Sequence, residues 1–247
     1  MKLKISFKHL KHTPALDERI KEKSEKLEKY FEGKFYTEEN NSHGMDHVRG
    51  VYDLAKKMVE TLNLNVGHDE LLIACYLHDI YSSIDRENHH EKGENHIWEY
   101  RGYHYFLKDM DNDVIVRIAK AIAEHRASYK GEYWSELSEV LSAADRGALS
   151  THDTIRRSFA YTMEKNPDMK IQEALLNVWR HMKGKFGSKG YARYNDVFKN
   201  YFKEELEFYQ KFMDDLTLEE TEYIIFMWIK NCRREDLSKI LGQEKTH

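Results

Sequence analysis

Residues 70–80, ELLIACYLHDI, form an apolar run of helical character that ends in an adjacent imidazole and carboxylate, His78 and Asp79. At helical spacing Leu71, Ala74, Cys75 and His78 share one face, and Leu72, Cys75 and Asp79 share the adjoining one, so both polar groups are carried inward. Burying such a pair is costly unless the groups are paired, hydrogen-bonded or bound to an ion. Taken alone, His78 and Asp79 fit a satisfied core histidine and a helix stop as well as they fit a ligand pair. The pattern recurs, however, in three other segments. In GMDHVRGVYDLAKKMVETLNL, His47 lies at the inner edge of the stripe made by Val48, Val51, Ala55, Met58 and Leu62. In NDVIVRIAKAIAEHR, His125 continues the stripe of Val114, Ile118, Ala121 and Ile122. In SELSEVLSAADRGAL, Leu137, Leu141, Asp145 and Ala148 are successive turns of one face. A shared divalent cation removes most of the cost of burying these groups, because neutral imidazoles and carboxylates become its ligands. An ion pair between Asp145 and its neighbour Arg146 is a poorer explanation, since adjacent helical side chains diverge by about 100°.

The elements that carry these residues are helices. Two prolines, twelve glycines and abundant Lys, Glu and Leu favour helix along most of the 247 residues, enough chain for one large domain or a domain with an appendage. The longest apolar runs, such as YIIFMWI at 223–229, fall far short of the roughly 20 residues of a membrane span. No secretory signal is visible, and the two cysteines, Cys75 and Cys232, fit reduced thiols in a cytoplasmic protein. The net charge of −4 gives no general nucleic-acid signature.

Before the first inward histidine, residues 1–9 alternate Leu3, Ile5 and Phe7 with lysines, as in a short strand, and Thr13-Pro14 opens an amphipathic helix that Gly33 can end. Together KHLKHTPAL and KLEKYFEGK resemble the opening strand and helix of ribosome hibernation-promoting factors, which implies a ribosome contact through residues 1–35. A polar turn at 40–44 follows. Beyond the 70–80 helix, a polar loop leads to a helix expected from about His90 to Leu107. The last stretch, LTLEETEYIIFMWIKNCRREDLSKILG, is expected to be a packing or dimerisation hairpin, which makes a homodimer an expectation. The resulting division is 1–35 for an N-terminal extension, 36–211 for the main domain and 212–247 for the hairpin.

The inward set of His47, then His78 with Asp79, then Asp145, on an all-α scaffold, resembles the HD superfamily of metal-dependent phosphohydrolases over about residues 15–211. More narrowly, DHVRGV, LHDI, NHHEKGENH, EHR and AADRGAL, followed by RRSFAY and RHMKGKFG, are similar to small bacterial HD nucleotide pyrophosphatases and phosphohydrolases. The resemblance implies an HD-domain helical bundle whose His47, His78, Asp79 and Asp145 hold a divalent ion: Mn, Fe, Co, Ni or Mg. Some relatives carry two more histidines and a second ion. His125 matches one, and His89, four before Gly93, matches the other in preference to His90.

The implied chemistry is attack of metal-activated water on phosphorus, with Asp79, Arg49 and Arg146 in catalytic roles and Arg126, Lys183 and Lys185 on the substrate phosphates. Several HD nucleotidases place a Glu three positions after the Asp. Here that residue is Ser82, so Asp79 and the metal act directly on water, or Asp85 or Glu87 reaches in from the loop. The substrate expected is a phosphorylated small molecule, a nucleotide cleaved at an anhydride or monoester. Cyclic-nucleotide or other phosphodiester hydrolysis, an RNA- or ribosome-associated regulator that senses a nucleotide, and a di-iron oxygenase are the alternatives.

Overall fold

The structure, a computed structural model, describes residues 14–32, 36 and 44–232. Among the described residues the regular structure is helical, without a strand: α1 (Pro14–Glu32), α2 (Met45–Leu62), α3 (His68–Leu77), α4 (His89–Tyr100), α5 (Asn112–Glu124), α6 (Glu136–Arg146), α7 (Thr151–Lys165), α8 (Ile171–Phe186), α9 (Asp196–Tyr201), α10 (Lys203–Asp215) and α11 (Leu218–Asn231). The strand expected at residues 1–9 and the second arm of the C-terminal hairpin lie outside the described residues. None of the described helices is long and apolar enough to cross a membrane. The chain divides into two compact units. Of the described residues, the first comprises those up to Gly147 together with Tyr194–Tyr201, and the second Ala148–Arg193 together with those from Phe202 to Cys232.

The first unit is built around α3. Residues 71–77 are all fully buried, because Leu71, Leu72, Ile73, Ala74, Cys75, Tyr76 and Leu77 leave the helix no polar face to turn outward. Helices α1, α2, α5 and α6 sheathe it. Each large apolar side chain so enclosed contributes roughly 1.5–3 kcal/mol. The start of α3 is fixed by Glu70, whose Oε1 accepts the Gly67 N–H at 2.7 Å while Oε2 pairs with Arg117 Nη2 at 2.6 Å. Helix α2 lays Val48, Val51, Ala55, Met58 and Val59 inward. It ends at Asn63 in the left-handed conformation (φ 52°), where the Leu64 N–H reaches back to Val59 O, the usual way of satisfying the last carbonyls of a helix. From α1, Leu27 and Phe31 are buried, and Glu28 accepts a hydrogen bond from the Tyr76 hydroxyl.

One expected boundary is corrected. The helix of the 90–107 region runs from His89 and stops at Tyr100, where the Tyr103 and His104 N–H groups both turn back to Tyr100 O. On a continuous helix His96 and His104 would be separated by about 12 Å along the axis. The turn instead brings their Nε2 atoms to 2.8 Å. That tertiary contact, closed by Tyr81 Oη on His96 Nδ1 and Tyr30 Oη on His104 Nδ1, overrides the local helical pattern.

The second unit packs α7, α8, α10 and α11 around Ile155, Phe159, Met163, Val178, Met182, Tyr209, Met213 and Ile225. Its helix starts follow hydrogen-bond supply. Ser150 Oγ accepts the Asp153 N–H, and Thr217 with Glu220 forms a reciprocal box, Thr217 Oγ1 taking the Glu220 N–H and Glu220 the Thr217 N–H.

Because Leu72 is fully enclosed, Leu72→Ala is expected to cost roughly 2–5 kcal/mol. Urea unfolding should show this as a lower midpoint with an unchanged slope.

Candidate metal centre

Five helix ends of the first unit meet at one place. Helix α2 begins there with His47 in its first turn, and α4 begins there with His89. Helices α3 and α5 finish there, with His78 and His125 as their C-capping residues and Asp79 one step beyond. Asp145 is the penultimate residue of α6. Two groups result: His47, His78, Asp79 and Asp145 in one, and Asp79, His89 and His125 in the other, the donor atoms of each group lying within 4.8 Å of one another.

Asp79 belongs to both groups and divides its oxygens between them. Its Oδ2 lies 3.7 Å from His47 Nε2 and 3.5 Å from His78 Nε2. Its Oδ1 lies 3.2 Å from His89 Nε2 and 3.7 Å from His125 Nε2. Asp145 Oδ1 completes the first group at 3.2 Å from His47 Nε2 and 3.4 Å from His78 Nε2. The carboxylate of Asp79 is thus placed as a bridge.

Whether this set fits a metal is decided by what the other imidazole nitrogens do. Nδ1 of His78 faces Cys75 O at 2.7 Å, Nδ1 of His89 faces Arg86 O at 2.9 Å, and Nδ1 of His125 faces Ile122 O at 2.6 Å. A carbonyl oxygen only accepts, so each Nδ1 carries the hydrogen and each Nε2 turns a lone pair into the site. His78 Nε2 is buried without a hydrogen-bond partner. His89 and His125 oppose their Nε2 atoms at 3.1 Å, an arrangement of two lone pairs that a cation or an added proton must relieve. Outer carbonyls of this kind orient metal-bound histidines.

The electrostatics agree. Burial depresses the His78 imidazole, yet Asp79 and Asp145 overcome it and hold the ring at about 9, so without a metal a proton takes the cation's place. Burial opposes ionisation of Asp145, but the imidazoles of His47 and His78, 3.2 and 3.4 Å from its Oδ1, hold its carboxyl well below the usual carboxylate range. Cys75, directly beneath, keeps its proton because burial and then Asp145 push the thiol up. The donors are therefore nitrogen and oxygen, a set suited to Mn, Fe, Co, Ni or Mg.

Residues 44–150 match the family model of the HD domain. This part of the chain is an HD domain. HD domains are metal-dependent phosphohydrolases, which implies metal-dependent hydrolysis of a phosphorylated substrate, and the two His/Asp groups could hold the divalent metal. No curated protein and no solved structure matches the chain.

The remaining candidate residues are distributed as follows. Arg146 lays its guanidinium over the Tyr194 ring, 4.9 Å from its centroid, with Phe198 at 5.9 Å. Arg126 donates to Glu87 O, tying the end of α5 to the loop before α4. Arg49 is engaged by Asp46 and Glu28 at 3.3 and 3.5 Å. Lys183 and Lys185 belong to the second unit. There Lys183 Nζ donates to the carbonyls of Asp214 and Leu216, and Lys185 Nζ lies 5.0 Å from the Phe186 ring centroid. His90 half-buries its ring beside that of His89, centroids 5.7 Å apart, and is in neither donor group.

Of the two loop carboxylates considered as bases, Asp85 is engaged elsewhere. Lys92 at 2.8 Å and the Asn88 N–H at 3.0 Å occupy the Asp85 carboxylate and hold it well below its ordinary range, so it fastens the entry to α4. Glu87 is exposed. The sequence reading did not find Tyr194 and Phe198 as the seat of Arg146. A stack between residues some fifty positions apart has no local signal in the sequence.

Gly93 sets the seat of α4. A Cβ there would lie 2.7 Å from Ile122 Cγ2, with Leu77 O and His78 O at 3.8 Å. Gly93→Ala is therefore expected to push α4 and His89 outward, costing about 1–3 kcal/mol in thermal unfolding and weakening metal retention in equilibrium dialysis. Asp85→Ala is expected to lower the melting temperature modestly and to keep turnover within about threefold, a change in barrier below about 1 kcal/mol.

Proposed function

We propose that this HD hydrolase cleaves a phosphoanhydride or phosphomonoester of a nucleotide and holds two divalent ions, one on each side of Asp79. The observation that carries the two-ion reading is the division of the Asp79 oxygens, Oδ2 toward His47 and His78 and Oδ1 toward His89 and His125. When bound, the ions supply Lewis acidity toward phosphoryl oxygen and make water more acidic. His47, His78, Asp79 and Asp145 would hold one ion, and Asp79, His89 and His125 the other.

The chain's own groups account for the rest. The carbonyls of Cys75, Arg86 and Ile122 fix the tautomers and planes of three imidazoles, so these ligands need no reorganisation on binding. Phosphoryl transfer calls for positive charge about the equatorial oxygens more than for covalent chemistry. Arg146, beside Asp145 and stacked on Tyr194, and Arg126, beside His125, are the cations next in sequence to proposed ligands. Arg49 would have to exchange Asp46 and Glu28 for a phosphate to join them. With Asp85 held by Lys92 and Asn88, Glu87 exposed and Ser82 buried, Asp79 is the proposed acceptor of the water's proton. The nucleotide preference is supported by the similarity of DHVRGV, LHDI and AADRGAL to small bacterial HD nucleotidases, and a cytoplasmic setting by a sequence with only two cysteines, too few for a disulfide framework.

Elemental analysis of purified protein, joined to a panel of phosphorylated metabolites with added Mn or Co, tests both parts. Asp79→Ala is expected to lose both ions and at least about a thousandfold in turnover, about 4 kcal/mol of barrier. His125→Ala should lose one ion and retain the other. A variant at Asp79 with the parent's metal content and rate would overturn the site. Faster hydrolysis of phosphorylated sugars than of any nucleotide would overturn the substrate class and leave the hydrolase intact.

A further inference from the structure

Helix α11 turns Thr221, Ile224 and Ile225 into the second unit and exposes Tyr223, Phe226 and Met227 to 66, 53 and 40 %. Large apolar residues this exposed and contiguous are unusual on a finished surface. At about 100° per residue, Glu219, Tyr223, Phe226 and Lys230 fall within about 60° of one another, with Glu222 at the margin. The stripe reads acid, apolar, base along the helix. Glu222 stands four residues before Phe226 and Lys230 four residues after it. Reversing the helix about Phe226 therefore exchanges a carboxylate for an ammonium and leaves the apolar middle in place. Among the described residues, neither Glu222 nor Lys230 is paired with another charge of the chain.

A face complementary to its own reverse is what a twofold interface requires, because each residue must meet the partner's residue related by the axis. We propose that α11 of one chain packs antiparallel on α11 of a second copy, Phe226 at the axis, Tyr223 and Met227 beside it, and Glu222 of each copy opposite Lys230 of the other. Parallel pairing would set Glu222 on Glu222 and Lys230 on Lys230. One 14-residue helix per copy makes a contact at the small end of specific interfaces, roughly 1,000 Å², so the dimer exchanges with monomer in the micromolar range.

Sedimentation equilibrium of the full chain tests this. The parent protein is expected to dimerise below about 100 µM, about −5.5 kcal/mol. Glu222→Lys and Lys230→Glu should each weaken association by about tenfold or more through like-charge contact, and the double exchange should restore it to within about threefold. Phe226→Glu should give monomer with unchanged far-ultraviolet circular dichroism. A parent monomeric at about 100 µM, or a double exchange no tighter than the single ones, would overturn the proposal. Single exchanges without effect would do so too.

Discussion

Everything in the first unit answers to a concentration of lone pairs and negative charge at one interior point. Two carboxylates, Asp79 and Asp145, lie at or just past the C-terminal ends of α3 and α6, where unsatisfied carbonyls already give a partial negative charge. The imidazoles add further lone pairs. Brought together without a cation, these groups repel one another in a poorly solvated place. Divalent ions convert the same arrangement into an attraction, and in their absence a proton on His78 does part of that work. The fold must therefore be stable enough to hold the ligands together before the ion arrives. The enclosure of α3 on all sides supplies that stability, next to the point where it is needed.

Placement follows from helix direction. Ligands at helix ends can converge where ligands at mid-helix would be kept apart by about 8–10 Å between axes. His78 and His125 share a device for this. Each caps its helix, and each returns Nδ1 to the carbonyl three residues earlier, so the backbone that ends the helix also aims the ring. His89 does the same with Arg86 O at a helix start. The absence of a side chain at Gly93 lets α4 approach Ile122 closely enough for His89 to reach His125.

Much of this was legible in the sequence, because periodicity states which face a residue occupies. The apolar stripes aimed His47, His78, Asp79, His125 and Asp145 inward, and the structure gathers them. The spacing of His89 from Gly93 separated it from His90 only through a family pattern. What periodicity omits is where a helix stops. It carried the 90–107 helix past Tyr100, since nothing local announces that His104 will be pulled back onto His96 and Tyr30. Nor does it show how charges are spent. Asp85 and Lys183 look available in the sequence, yet one is held by Lys92 and Asn88 and the other by two carbonyls. The return of residues 194–201 to the first unit, where Tyr194 supports Arg146, is equally silent, because it depends on contacts between residues remote in the chain.

The two histidine pairs in this unit show why distance alone does not identify a metal site. His89 with His125 and His96 with His104 each oppose Nε2 to Nε2, at 3.1 and 2.8 Å. In the second pair the Nδ1 atoms face Tyr81 and Tyr30 hydroxyls. A hydroxyl donates or accepts, so one tyrosine can donate, one imidazole can pass its own hydrogen to the other, and the last Nδ1–H can end on the far hydroxyl. Four neutral side chains then satisfy one another without an ion. In the first pair the Nδ1 atoms face carbonyls, which only accept. Both hydrogens are committed outward, both Nε2 lone pairs point inward, and no neutral arrangement of the pair satisfies them. Asp79 adds negative charge at the same spot. The chemical nature of the atoms behind each ring thus makes one pair a self-contained hydrogen-bonded chain and leaves the other able to accept a cation.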